Sequence, residues 1–290
     1  MTTDSIDRPA AAGRLATARP LLYHVLLCAV SIVMLYPLLW MLASSFKPDD
    51  QIFNDSSIWP SSFSLGAYIR GWTGLQVQFG QFFWNSFIVA TLSVIGNVLS
   101  CSLAAYAFSR LRFPGKNFWF ALMLGTMMLP YHVTLIPQYV LFLNLDWVNT
   151  FLPLIVPKFL AADAFFIFLM VQFFRGIPRE LDEAAMMDGC TPFQIYWKII
   201  LPLSVPVLAT AAVFSFIWTW DDFFAPLIYL NDMGSYTVQL GLRSFVDSTG
   251  KSDWGALFAM SVLTLVPILL FFLLFQRLLI EGIATTGMKR

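Results

Sequence analysis

Residues 177–202 read IPRELDEAAMMDGCTPFQIYWKIILP, a charged stretch set between two long apolar runs. Pro178 is placed for the first helical position, where a missing N–H costs nothing. Glu180, Asp182 and Glu183 follow in the first turns, where carboxylates favour the positive end of the helix dipole. Gly189 is a natural stop, and Thr191-Pro192-Phe193-Gln194 reads as a capping box opening a second helix. Leu201-Pro202 closes that helix. The product is a short helix-turn-helix beside a membrane, which has no evident job in a chain acting alone. An acidic helix with Ala184-Ala185 on its surface suits a groove in another protein.

Outward from this loop the sequence is lipid-like. Of 290 residues 58% are hydrophobic and only 12% charged, about half the charge of a soluble domain. Mean hydropathy is +0.72. Six apolar stretches, 21–46, 84–109, 118–143, 150–174, 203–230 and 254–280, are each long enough to cross a hydrocarbon core of about 30 Å. The expected fold is therefore an all-α integral membrane bundle of six transmembrane helices. It divides into a tail at 1–20, a membrane domain at 21–280 and a tail at 281–290. The first run is too long for a signal-peptide core and lacks a small-x-small cleavage site after it, so it reads as a retained helix.

The second run is the most polar, with Asn85, Thr91, Ser93, Asn97, Ser100 and Ser102. Lipid would leave these groups unsatisfied, so they must face other helices or a cavity. Gly96, Ser100 and Ala104 recur every four residues and present a small-residue face for close helix approach. Pro130 and Pro137 predict a kink or break in the third run.

Lys and Arg set the orientation. With the N-terminus inside, the inner segments hold 12 of the 17 Lys and Arg residues, among them Arg110, Arg112, Lys116, Arg175 and Arg179. The outer segments hold only Lys47, Arg70, Arg243 and Lys251. Both termini and the 175–202 loop are thus expected in the cytosol.

Ionisable residues in spans are functional candidates by default. Asp163 lies mid-span, where a hydrogen bond to a neighbouring helix competes with solute contact. Asp221 and Asp222 lie about 27 Å along the fifth run at 1.5 Å per residue, near the outer interface. Trp218 and Trp220 could stack on a sugar ring, and an interfacial aromatic belt explains them equally well. Lys158 has a stem long enough to snorkel. Cys28, Cys101 and Cys190 have neither disulfide nor metal-site spacing. His24 and His132 are the only histidines, which gives no metal constellation. No Gly-Lys-Ser/Thr phosphate loop occurs, so nucleotide must be bound elsewhere.

Glu183-Ala184-Ala185, Gly189 after three intervening residues, Ile199 after nine more and then Leu201-Pro202 resemble the "EAA" loop of ABC importer permeases. Asn85-Ser86, residues 104–115, Leu129-Pro130, Ile136-Pro137, Asn149-Thr150, Trp220-Asp221-Asp222-Phe223 and Tyr236-Thr237-Val238 are similar to the carbohydrate-uptake, maltose-type branch, in particular its six-helix permease. Departures are Cys190 where Ala is usual, Asp221 where Asn is common, and the ending Met288-Lys289-Arg290.

The resemblance implies a type I ABC importer fold with a coupling helix formed by Glu183, Ala184, Ala185, Asp188, Gly189, Leu201 and Pro202. It implies a second, different permease subunit, two ATPase subunits that bind ATP and Mg, and an extracytoplasmic solute-binding protein. The chain itself then has no cofactor and no catalytic residue, its setting is the bacterial inner membrane, and nucleic acid is not a partner. Asn85, Asp163, Trp220, Asp221 and Asp222 are the solute-path candidates. A sugar or oligosaccharide is the implied cargo, with glycerol-phosphate diesters or polyols as the alternative. An ion-driven transporter would call for inverted repeats and paired carboxylates, and a membrane enzyme for a cluster of His, Asp or Cys. Neither pattern is present.

Overall fold

A computed structural model describes residues 11–55, 57–246 and 252–287, with side chains from residue 23 to 278 apart from residue 131. Residues 1–10 and 288–290, which carry parts of both expected tails, lie outside the described residues, as does Lys251. Helix is the only regular secondary structure among the described residues, with no strand.

The elements in chain order are α1 (Ala11–Ser44), α2 (Gly66–Thr73), α3 (Phe79–Arg110), α4 (Lys116–Thr126), α5 (Tyr131–Asn144), α6 (Leu152–Ile155) and α7 (Ala164–Gly176). Then come α8 (Glu180–Met187), α9 (Pro192–Ile195), α10 (Leu201–Leu203), α11 (Val205–Trp220), α12 (Phe224–Tyr229), α13 (Val238–Leu242) and α14 (Trp254–Gly287). Among the described residues four helical stretches are long and apolar enough to cross a membrane: Tyr23–Ser44, Phe79–Arg110, Leu152–Gly176 and Trp254–Leu278. A fifth exists if Pro192–Leu203 and Val205–Trp220, bent by 77°, count together.

Three expected spans are interrupted, and proline chemistry accounts for two of the breaks, before α5 and at Ser204. The third run splits into α4 and α5, with Pro130 in extended backbone (φ −61°, ψ 131°) just before α5. Pro137 by contrast lies inside α5 without ending it. The fourth run is α6, a 3₁₀ turn at Val156–Leu160 containing Pro157, and α7, separated by Ala161 in the left-handed region at φ +52°. The fifth run was expected to be one helix from 203 to 230. It is broken at Ser204, between Pro202 and Pro206, and again at Asp221–Phe223. Neither proline can donate a backbone hydrogen bond, so the ladder is weakest between them. At the other end, α14 continues past residue 280 into the expected tail.

The hub is α3, which packs against α7 and α11, while α11 also packs on α14. The polar residues of α3 face protein, as their chemistry demands. Asn97 Nδ2 donates to Ser215 Oγ at 3.2 Å, Ser100 Oγ donates to Lys158 O at 2.7 Å, and Ser102 and Tyr196 share a bond of 2.8 Å. A Cβ on Gly96 would come within 2.5 Å of the Phe159 ring. The small-residue face therefore receives the 3₁₀ turn. On the other side of the bundle, α1 is exposed at every residue from Tyr23 to Leu39, a surface suited to lipid or a partner helix.

Candidate coupling site and solute-path residues

The loop 177–202 forms the expected helix-turn-helix with one shift. Ile177 is extended (φ −73°, ψ 132°), as a residue before proline must be. Helix α8 accordingly starts at Glu180, two residues after Pro178 rather than on it. Gly189 ends it at φ +80°, a conformation strained for any residue with a Cβ. The Cys190 N–H then returns to Ala185 O at 2.9 Å. The capping box is present: Thr191 N–H donates to Gln194 Oε1 at 2.8 Å, and Gln194 N–H to Thr191 Oγ1 at 3.4 Å.

Helix α8 is seated by two residues. Ala185 is buried with Tyr106, Phe174, Ile195 and Tyr196, and Tyr106 Oη donates to Pro192 O at 2.8 Å. Asp182 pairs with Arg110 at 3.0 Å, their side chains 14% and 3% exposed. Arg110 also donates to Phe174 O at 2.5 Å and Ile177 O at 2.7 Å, capping the end of α7. One guanidinium thus ties the end of α3 to α7 and α8. From the sequence Arg110 is an inner-side charge within the 104–115 family stretch, with no structural partner evident. No local signal marked it, because its carboxylate partner lies 72 residues further along the chain.

The opposite face is presented outward. Glu183 and Met187 share one helix row, both exposed, Met187 at 89%. Ala184, Asp188 and Gly189 are exposed beside them. Among the described residues, the Glu183 and Asp188 side chains have no hydrogen bond or ion pair. Phe193 and Trp197 add exposed aromatic surface next to this face. Leu201 and Pro202 lie at the far end of the second helix, just before the 77° bend.

The solute-path candidates are dispersed. Asn85 is buried and fully engaged: its Oδ1 accepts from Gln81, and its Nδ2 donates to Gly234 O at 2.8 Å and Tyr236 O at 2.9 Å. Ser86 Oγ accepts from Val238 N–H at 2.8 Å. Together they fasten the 234–238 segment onto α3. Trp220 is buried, stacks on Phe216 and donates to Thr264 O at 3.1 Å. Asp163 pairs with Lys158 at 2.9 Å across the Ala161 break, which gives the mid-span acid its counter-ion. Asp222 Oδ1 accepts from Ala225 N–H at 3.2 Å and starts α12, while exposed Asp221 accepts from Gln239 at 3.1 Å. Of the five, Asp221 alone is openly presented.

Two anchors outside the bundle escaped the sequence reading. Lys47, 1% exposed, donates to Ser57 O at 2.6 Å and Asp55 O at 3.1 Å, holding the 47–57 loop closed. Arg70 bridges Asp49 at 2.6 Å and Asp253 at 3.0 Å, linking α1's exit loop to the start of α14.

A membrane-spanning helical hub with a seated, outward-facing helix in one connecting loop is the anatomy of a transporter's membrane subunit. The profile of the family described as "Binding-protein-dependent transport system inner membrane component" matches residues 96–284, and the chain belongs to that family. It is 38% identical over 258 residues to the probable ABC transporter permease protein YurM of Bacillus subtilis, covering 89% of this chain and 85% of that one. It is 34% identical over 266 residues to the arabinooligosaccharides transport system permease protein AraQ of Halalkalibacterium halodurans, covering 90% and 93%. To the sn-glycerol-3-phosphate transport system permease protein UgpE of Brucella abortus it is 31% identical over 273 residues, covering 92% and 96%. In fold it is similar to a bacterial ABC transporter involved in import of the acidic polysaccharide alginate, with a TM-score of 0.79, 23% identity and coverage of 95% and 99%. The chain is a multi-pass ABC permease, a transport component rather than a catalyst.

Proposed function

We propose that this chain forms half of the membrane path of an importer for a sugar or oligosaccharide, and that α8 is its drive point. In this reading an extracytoplasmic binding protein delivers the solute and a second, different permease subunit completes the path. Two separate ATPase subunits bind ATP and Mg and act on the coupling helices from the cytosol. The 175–202 loop and both termini lie on the cytosolic side of a bacterial inner membrane. AraQ, a permease for arabinooligosaccharides by its name, supports the cargo class. UgpE supports the second reading, a glycerol-phosphate cargo for the same machine.

One observation carries the drive-point assignment. Helix α8 is fixed on its inner face by Ala185 and Asp182, while Glu183, Ala184 and Met187 are left without partners on the outer face. A helix held that way transmits force as a rigid body. When the ATPases close on ATP, the two coupling helices are drawn together and the membrane half turns from inward-facing to outward-facing.

The test is uptake into proteoliposomes holding the co-purified complex. Glu183→Ala should leave the chain's own thermal stability intact, since its side chain has no partner within the chain to lose, yet separate hydrolysis from uptake. Uptake at the wild-type ratio to hydrolysis in that variant would refute the assignment. Uptake with no nucleotide-hydrolysing partner present would refute the whole reading.

A further inference from the structure

Where α3 ends, residues 110–118 turn back beside the coupling helix. Lys116 Nζ donates to Leu111 O at 2.9 Å, and Arg179 donates to Ser109 O at 3.3 Å. This turn gathers Arg112, Lys116, Arg175 and Arg179 at one corner of the bundle. Arg110 nearby has its carboxylate in Asp182. Among the described residues, none of the other four has an acidic group within ion-pair distance. The crowding is felt at Lys116, whose pKa is held below the usual lysine value by burial and then by the charges of Arg179 and Arg175.

Two cavities meet at this corner. One, of about 390 Å³, is lined by Arg112, Phe113, Lys116 and Asn117. The other, of about 480 Å³, is apolar and runs between helices past Ala104, Phe108, Trp119, Leu122, Ala162 and Ile167. Phe113 belongs to the wall of both. Trp119 and Leu122 are more than half exposed, so the apolar groove opens sideways, where a membrane helix meets lipid. An uncompensated cationic pocket joined to an apolar slot at the end of a span matches one chemistry, an anionic head group with an acyl tail.

We propose that this corner binds an anionic glycerophospholipid from the leaflet on the coupling-helix side, its phosphate between Arg112 and Lys116 and one acyl chain in the groove. The bound lipid would fill the space between α3, α4 and α7 directly behind the Arg110 anchor. The inference rests on the chain's place in the bilayer and holds whichever solute passes.

The test uses the full chain with its co-purifying partners, reconstituted in nanodiscs with equal phosphatidylglycerol and phosphatidylcholine, then released for native mass spectrometry. Wild type should retain phosphatidylglycerol over phosphatidylcholine by about tenfold. Arg112→Gln/Lys116→Gln should bring the preference below about twofold, and Ala162→Phe should empty the groove of either lipid. Lys198→Gln, a cation outside the corner, should leave the preference unchanged. An undiminished preference in the double variant would overturn the proposal. So would displacement of the lipid by millimolar inorganic phosphate, or a photo-cross-linker at Leu122 that captures another protein instead of lipid.

Discussion

Breaking the Arg110–Asp182 pair should loosen α8 without unfolding the bundle. The guanidinium is 3% and the carboxylate 14% exposed, so truncating either side strands a charge with little access to water. Loss of one partner of a buried pair costs about 3–5 kcal/mol, and the lower end applies here because Asp182 keeps some solvent. In Arg110→Met, Phe174 O and Ile177 O also lose their donor. In Asp182→Leu, Arg110 keeps those two acceptors but not its counter-charge. A cost of about 3 kcal/mol is a little over two decades in a local opening constant. Hydrogen exchange at the Asp188, Gly189 and Cys190 amides, bonded to Ala184, Met186 and Ala185 carbonyls, should therefore speed up about 100-fold in either variant. Amides of α11 should not change. The double variant Arg110→Met/Asp182→Leu leaves no stranded charge and should cost at least about 2 kcal/mol less than the sum of the singles. Additive effects, or single variants within about 0.5 kcal/mol of wild type, would refute this account of how α8 is held.

Three further outcomes follow from the same geometry. Gly96→Ala pushes a methyl into the Phe159 ring and should lower stability in a detergent melt by about 1–3 kcal/mol; an unchanged melt would mean that the 3₁₀ turn yields freely. Asn85→Leu abandons the Gly234 and Tyr236 carbonyls, at about 1–3 kcal/mol each where burial is kept, and should appear as faster proteolysis of the 231–253 segment; wild-type resistance would count against the clamp. At the Arg70 bridge, burial raises the Asp253 pKa, but hydrogen bonds from Arg70 and the Ala256 N–H and the Arg70 charge outweigh it, leaving a net depression. A depressed carboxylate contributes above its unfolded value of about 3.9 and loses that contribution as pH falls through the folded value. The bridge should therefore hold unchanged from pH 5 to 8 and weaken only in more acidic solution, and because both partners are partly exposed Asp253→Asn should cost under about 1 kcal/mol. A melt that shifts near neutral pH would contradict this.

The 177–202 loop was legible because its signals are local. Proline, first-turn carboxylates, Gly189 and Thr191–Gln194 each specify backbone geometry within a few residues. The capping box and the positive φ at Gly189 appear where the sequence put them. The polar face of α3 was legible for a different reason, since lipid forbids unsatisfied groups and leaves protein as their only destination. What holds the loop could not be read this way. Arg110 and Asp182 are 72 residues apart, and nothing local marks them as partners. The same holds for Asn85 and Gly234, 149 residues apart. Hydropathy windows also run through breaks: residues 203–230 are apolar enough to count as one span, although Ser204 sits between two prolines and Asp221–Asp222 leave the helix.

The unpartnered face of α8 is the surface that we propose meets a nucleotide-hydrolysing subunit in the cytosol. Met187, 89% exposed at its centre, is the position to interrogate, with a photo-reactive residue installed there in the chain expressed with its native partners. The account predicts one dominant protein adduct, to a subunit carrying a phosphate-binding loop, formed in whole cells and changed in yield by ATP. Adducts to lipid or to a protein on the outer surface, or labelling of this position by a membrane-impermeant reagent added outside, would contradict it.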